Sequence, residues 1–164
     1  MNYAAIGLCF FALVSTAAFS GAVSRAEIEY YVAAYAAHYQ LPVSFVRALI
    51  AQESGWQPCV LSEKGAAGLM QLMPETQRLL HVDNACDVRQ NLSGGMRYLA
   101  YLKEKFHGDL RLVAAAYFAG EAAISRRGLE YANREVVVYV ATIRRHTAVE
   151  QTAGSGRLQP GRLP

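Results

Sequence analysis

Phe45-Val46-Arg47-Ala48-Leu49-Ile50-Ala51-Gln52-Glu53-Ser54-Gly55-Trp56 is the stretch on which the reading of this chain turns, because an apolar run closes on a lone carboxylate. The spacing predicts a helix over residues 43–54. Glu53 then lies four residues after Leu49 and three after Ile50, on the face that packs inward. Gly55 is the stop signal, which sets the carboxylate in the last turn, at the negative end of the helix dipole. Burial and the dipole both favour the protonated acid. A neutral carboxylic acid at the edge of a cleft is what general-acid chemistry requires, so Glu53 is the candidate catalytic residue. The alternative, a solvated helix-end glutamate, is opposed by its apolar flank.

Outward from this segment, helical periodicity dominates. Ile28, Val32, Tyr35 and Tyr39 recur at spacings of three and four, predicting a helix over residues 26–39 with Tyr and Ala toward the core. Leu41-Pro42 breaks it, and Pro42 suits the first turn of the helix that carries Glu53. Residues 55–73 change to Pro58, Ser62, Gly65 and Gly68 followed by Leu69-Met70-Gln71-Leu72-Met73, a loop with at most a minor strand element. Pro74-Glu75-Thr76 opens a short helix to about residue 80, and a loop follows through Asp83 and Asp87.

Leu92, Met96, Leu99, Leu102 and Phe106 lie on one face of an amphipathic helix whose other face carries Arg97, Lys103, Glu104 and Lys105. Gly94-Gly95 within it is expected to let another backbone approach, at about 1 kcal/mol of helix propensity per glycine. Asp109 caps a buried helix over 110–118. Residues 135–145 fit a strand through Val136-Val137-Val138 or a terminal helix with Val136, Tyr139, Val140 and Ile143 inward; the spacing favours the helix. Beyond His146 the composition turns to Gly, Pro, Gln and Arg, so residues 147–164 are expected to be a disordered tail. The fold class is therefore all-α, with one domain over residues 26–146.

The 164 residues begin with 24 that carry no charge. An apolar run from Tyr3 to Val14 gives way to small residues, which reads as a signal peptide over 1–22 and hence export to the periplasm. An uncleaved membrane anchor is the competing reading, although Ser15 and Thr16 interrupt the run before the roughly 18 apolar residues a span needs. After the leader, Cys59 and Cys86 remain as an even pair in an exported chain, so a disulfide is the default. Its loop would contribute roughly 3–4 kcal/mol through the denatured state. A zinc site with His81 is the alternative, but the four histidines lack ligand spacing. No metal and no cofactor is expected. The net charge of +3 is too mild for a nucleic-acid partner and suits a polyanionic wall.

Glu53-Ser54-Gly55, Ser62 nine positions later, Gly65-Ala66-Ala67-Gly68-Leu69-Met70-Gln71-Leu72-Met73-Pro74, and Ala116-Tyr117-Phe118-Ala119-Gly120 together closely resemble the soluble lytic transglycosylase family. The resemblance runs from about Ile28 to Arg145 and implies a lysozyme-like fold. It also implies cleavage of the β-1,4 bond between N-acetylmuramic acid and N-acetylglucosamine in peptidoglycan, with a 1,6-anhydro product. Glu53 would act first as acid and then as base, in contrast to glycosidases that set two carboxylates across the bond. Carried over residue by residue, Ser62 matches the serine near the substrate N-acetyl group and Gln71 the glutamine of the cleft floor. Met73 lines a sugar subsite. Tyr117 and Tyr139 match two tyrosines that approach the glutamate, although in a chain with 10 tyrosines core filling is the competing reading of each.

One position departs from the pattern: Phe118 stands where the family usually has asparagine, so an amide that binds sugar becomes an apolar ring. Loss of a polar contact and stacking on a pyranose face both remain open for it, as stacking and helix packing do for Trp56. Hydrolysis in the manner of goose-type lysozymes and a non-catalytic wall-binding or assembly role are the alternatives to the transglycosylase reading. Short family members further imply local opening of the wall for a conjugation or secretion apparatus, and a monomer is expected.

Overall fold

A computed structural model of the chain describes residues 23–131 and 133–155. The expected signal peptide over 1–22 lies outside the described residues, as do 156–164 of the expected tail. Seven α-helices follow in order: α1 Arg25–His38, α2 Val43–Ser54, α3 Pro74–Leu79, α4 Val88–Lys105, α5 Leu110–Ala119, α6 Glu121–Arg127 and α7 Arg134–Ser155, with a single 3₁₀ turn at Gly128–Glu130 before the last. Among the described residues there is no sheet. The minor strand element amounts to two isolated antiparallel bridges, Leu61 to Ala67 and Ala67 to Leu72.

The caps explain where the helices begin. Ser24 accepts from the Glu27 amide at α1, and Asp87 accepts from the Gln90 amide at α4. Because Asp87 is that cap, α4 starts at Val88, a full turn before the apolar periodicity becomes visible at Leu92. Pro74 opens α3. α6 is absent from the sequence reading for a physical reason: it has seven residues between Gly120 and Gly128 and buries only Ile124.

α2 lies at the centre. It packs against α1 and α7, while α5 packs against α4, α6 and α7. Ile28, Val32 and Ala36 of α1 meet Phe45, Val46, Leu49 and Ile50 of α2 in one core with Leu92, Met96, Leu99 and Leu102 of α4. Each fully buried side chain of this size removes roughly 1.5–3 kcal/mol worth of apolar surface from water, which is what holds helices of modest propensity together.

Two expectations require correction. What approaches Gly94 and Gly95 is side chain rather than backbone: a Cβ on Gly94 would meet the Val82 methyl at 2.4 Å, and one on Gly95 the Met70 sulfur at 2.4 Å. The chain also does not lose its structure after His146. α7 continues to Ser155, so residues 147–155 of the supposed tail are helical. Arg47 of α2 supplies one reason, reaching Glu29 of α1 at 2.8 Å and Glu150 of α7 at 3.6 Å. Thr147 and Ala148 supply another, lining an apolar hollow with Phe45, Leu110 and Ala114. As for α7 itself, Val136, Tyr139 and Ile143 are buried while Val137 and Val138 are exposed, the helical rather than the strand pattern.

Candidate active site

Glu53 is the penultimate residue of α2, and its placement follows from how that helix ends. Gly55 takes a left-handed φ of 58° and its amide closes on the Ala51 carbonyl at 3.1 Å. Ser54 is buried and turns its hydroxyl back to the Ile50 carbonyl at 3.2 Å. The buried side chains Leu49 and Ile50 fix the helix roll, leaving the Glu53 carboxyl half-buried on the inward edge. No described cation pairs with it. Its hydrogen-bond partner is Tyr139 of α7, whose hydroxyl donates a short bond to Oε1.

The electrostatic result is an acid held in its neutral form. Burial raises the Glu53 pKa from 4.5 to about 7, against the opposing pull of the Tyr139 hydrogen bond, which favours the carboxylate. Tyr139 and Tyr117 are both pushed well above the ordinary phenol range, first by burial and then by the nearby Glu53 charge. Both phenols therefore stay neutral donors wherever Glu53 titrates.

Tyr117 comes from α5 and spends its hydroxyl on the Met70 carbonyl at 2.6 Å. Its ring lies 5.7 Å from that of Tyr98 of α4. It thus stands near enough for the Glu53 charge to act on it, but it anchors α5 to the loop over 60–73 rather than bonding the carboxyl. Its neighbour Phe118 stacks on the Tyr139 ring, with centroids 4.6 Å apart.

Ser62, Gln71 and Met73 belong to the loop between α2 and α3. Ser62 accepts the Ala66 amide on its hydroxyl at 2.9 Å, closing a tight turn. Gln71 sits at a positive φ of 46° and its amide nitrogen donates to the Val60 and Gly68 carbonyls, each at 3.0 Å. Met73 is 43% exposed and precedes α3. Among the described residues none of these three bonds Glu53; their polar groups shape the loop. Cys59 and Cys86 are joined as a disulfide, tying that loop to the start of α4. Trp56 is partly buried against the core, with the Arg25 guanidinium 3.5 Å over its ring.

Asn91 is the residue the sequence reading passed over. It is fully buried on the inward side of α4, accepts the Met70 amide at 2.8 Å, and donates to the Ala67 and Ala85 carbonyls at 3.0 Å. A Cβ on Gly68 would lie 2.2 Å from its amide nitrogen, so the loop backbone closes on Asn91 only because that position is glycine. The available signal was a polar residue eight positions before Leu99 on an otherwise apolar face.

An open groove of about 300 Å³ is lined by Gln52, Phe118, Arg134, Glu135, Val138 and Tyr139, the last being the residue whose hydroxyl bonds Glu53. The apolar hollows between α5 and α7, around Arg111, Val140 and Arg144, contain none of the candidate residues. Among the described residues no cluster of His, Cys, Asp and Glu suits a metal.

The model of the transglycosylase SLT domain matches residues 30–137. The chain belongs to the SLT family. Its relatives include a membrane-bound lytic murein transglycosylase F of Pseudomonas fluorescens, 34% identical over 93 residues, or 57% of this chain and 19% of that protein. A transglycosylase of Enterobacteria phage PRD1 is 38% identical over 89 residues, 54% of this chain and 33% of that one. The SLT chain thus spans about a fifth to a third of the length of these relatives. Its fold is that of the lytic transglycosylase Slt of Pseudomonas aeruginosa, with a TM-score of 0.68 at 24% identity over 77% of this chain and 24% of the other. The helical, lysozyme-like architecture expected for the family is the one observed. The matched SLT span holds Glu53, Ser62, Gln71, Met73 and Tyr117 and ends two residues short of Tyr139, whose hydroxyl hydrogen-bonds the carboxyl.

Proposed function

We propose that the domain is a peptidoglycan lytic transglycosylase in which Glu53 serves as both acid and base. The observation that carries the reading is a half-buried carboxyl, held neutral to about pH 7 and bonded by one phenol, at the end of α2 in an SLT domain. As the acid, Glu53 donates its proton to the glycosidic oxygen as the bond between N-acetylmuramic acid and N-acetylglucosamine breaks. As the carboxylate so formed, it takes the proton of the C6 hydroxyl, whose oxygen closes on the anomeric carbon. The glutamate is regenerated and a 1,6-anhydro end results, with no water consumed. The pKa near 7 suits both halves, since neither proton transfer is then strongly uphill at neutral pH.

Ser62, Gln71 and Met73 would contact the sugars from the loop over 60–73, and peptidoglycan glycan strands are the substrate. The charge-free leader supports action in the periplasm, and the likeness to short family members supports local wall opening for a conjugation or secretion apparatus. Mass spectrometry of material released from purified sacculi tests the reaction. Anhydro-muropeptides from wild type, and their loss in Glu53→Gln, are expected; undiminished release by Glu53→Gln would refute the assignment.

Hydrolysis of the same bond has one observation in its favour. Glu135, at the start of α7, lines the groove that Tyr139 and Gln52 also line, where a second carboxylate is able to activate water. Under that reading the products carry reducing ends and Glu135→Gln abolishes them.

A further inference from the structure

Two consecutive residues of α5 carry aromatic rings to different partners. Tyr117 points to the Met70 carbonyl and is fastened there. Phe118, with 45% of its surface exposed, lies on the outer face of Tyr139, which is only 4% exposed. The rings are stacked, 4.6 Å between centroids and 26° between planes. Phe118 thus keeps nearly half its surface in water, and its ring is laid against that of Tyr139. The inner ring is the one whose hydroxyl donates to Glu53.

A phenol has soft torsions, and a donor must be held to within a fraction of an ångström to keep its hydrogen bond to a carboxylate. α5 is itself immobilised one residue earlier by Tyr117, which makes Phe118 a rigid backing for its neighbour. Resting on the reading of Glu53 as the acid, we propose that Phe118 is a positioning residue whose ring keeps the Tyr139 hydroxyl on the Glu53 carboxyl.

The groups facing the carboxyl are Tyr139 from α7 and Tyr117 from α5, with Tyr98 of α4 behind Tyr117. Arg134 and Glu135 of α7 line the groove beyond Tyr139, beside Gln52 of α2. Among the described residues Tyr139 alone has a side-chain hydrogen bond to Glu53, so the effect of Phe118 is expected to pass through that hydroxyl.

The test is a titration of the Glu53 carboxyl by NMR in the full chain labelled at glutamate side chains, for wild type, Phe118→Ala, Tyr139→Phe and the double variant. The Tyr139 hydroxyl favours the carboxylate, so Tyr139→Phe raises the midpoint. Phe118→Ala is expected to raise it in the same direction by about half a pH unit, and to add nothing in the Tyr139→Phe background. Phe118→Tyr, which keeps a ring against Tyr139, restores the wild-type midpoint. Turnover on saturating sacculi falls about fivefold in Phe118→Ala, with the half-saturating amount nearly unchanged. An unchanged or lowered midpoint, an equal shift in both backgrounds, or an effect on half-saturation alone overturns the proposal. The titration needs no turnover: absence of anhydro products from wild type would count against the proposed reaction, while the midpoints would still decide the role of Phe118.

Discussion

The Glu53 carboxyl and the Asn91 amide are both polar groups set into an apolar helical domain, and the chain treats them in opposite ways. Asn91 has no exposed surface and three hydrogen bonds, one accepted and two donated, all to backbone. Glu53 is partly desolvated and receives one bond, from Tyr139, which is too little to hold it ionised at pH 6. A fully satisfied amide fixes the loop over 60–73 against α4; an incompletely satisfied carboxyl stores a proton. Rigidity and reactivity thus come from the same choice, how many partners a buried polar group is given.

The contrast is sharpest in what substitution does. Glu53→Gln is expected to lower the rate of anhydro-muropeptide release by about a thousandfold while leaving the helical circular dichroism unchanged. Asn91→Leu acts on the other side of the comparison. It strands the Met70 amide and the Ala85 carbonyl and removes one of the two donors to the Ala67 carbonyl, and should destabilise the fold by about 3 kcal/mol in urea unfolding. A loss of activity in Asn91→Leu with stability intact would break the comparison, since Asn91 would then belong to the chemistry.

Stability against pH separates the two residues, since the Glu53 carboxyl titrates and the Asn91 amide does not. The folded Glu53 keeps its proton to about pH 7, whereas the unfolded group releases it near 4.5, so the native state binds more protons between those values. Wild-type stability is therefore full below pH 4.5, declines as pH rises through 7, and levels off above it. Glu53→Gln removes that decline. The variant is expected to be more stable than wild type at pH 8, relative to their difference at pH 4, by up to about 3 kcal/mol in paired urea titrations. The smallest effect belongs to the surface: Glu150→Ala removes a part-exposed contact with Arg47 and should cost under about 1 kcal/mol, lowering helicity only in the last turns of α7.

Much of the fold was legible because its signals are local. The spacing of Leu92, Met96, Leu99 and Leu102 and the Gly55 stop are properties of one segment, and both helices stand where those residues set them. Glu53 could be singled out for the same reason, since its own helix determines the face it occupies. The partners of Glu53 were legible only through resemblance. Nothing near Tyr139 in sequence says that its hydroxyl meets a residue 86 positions earlier, and Tyr139 lies in α7, whose extension to Ser155 depends on Arg47 and Phe45 of α2. Asn91 was hidden because its three partners are backbone groups of a loop without periodicity. Phe118 was read as a possible sugar contact, and only the packing of α5 on α7 reveals the ring it covers.

The central claim is that the fold raises the Glu53 pKa to about 7, so that a large share of the carboxyl keeps its proton near neutral pH and can act as an acid. The most direct measurement is the titration of its carboxyl carbon by NMR in the wild-type chain, assigned by its absence in Glu53→Gln. A midpoint near 7 is predicted. A midpoint near the ordinary 4.5 would show the carboxylate to be ionised throughout the working range and would contradict the account.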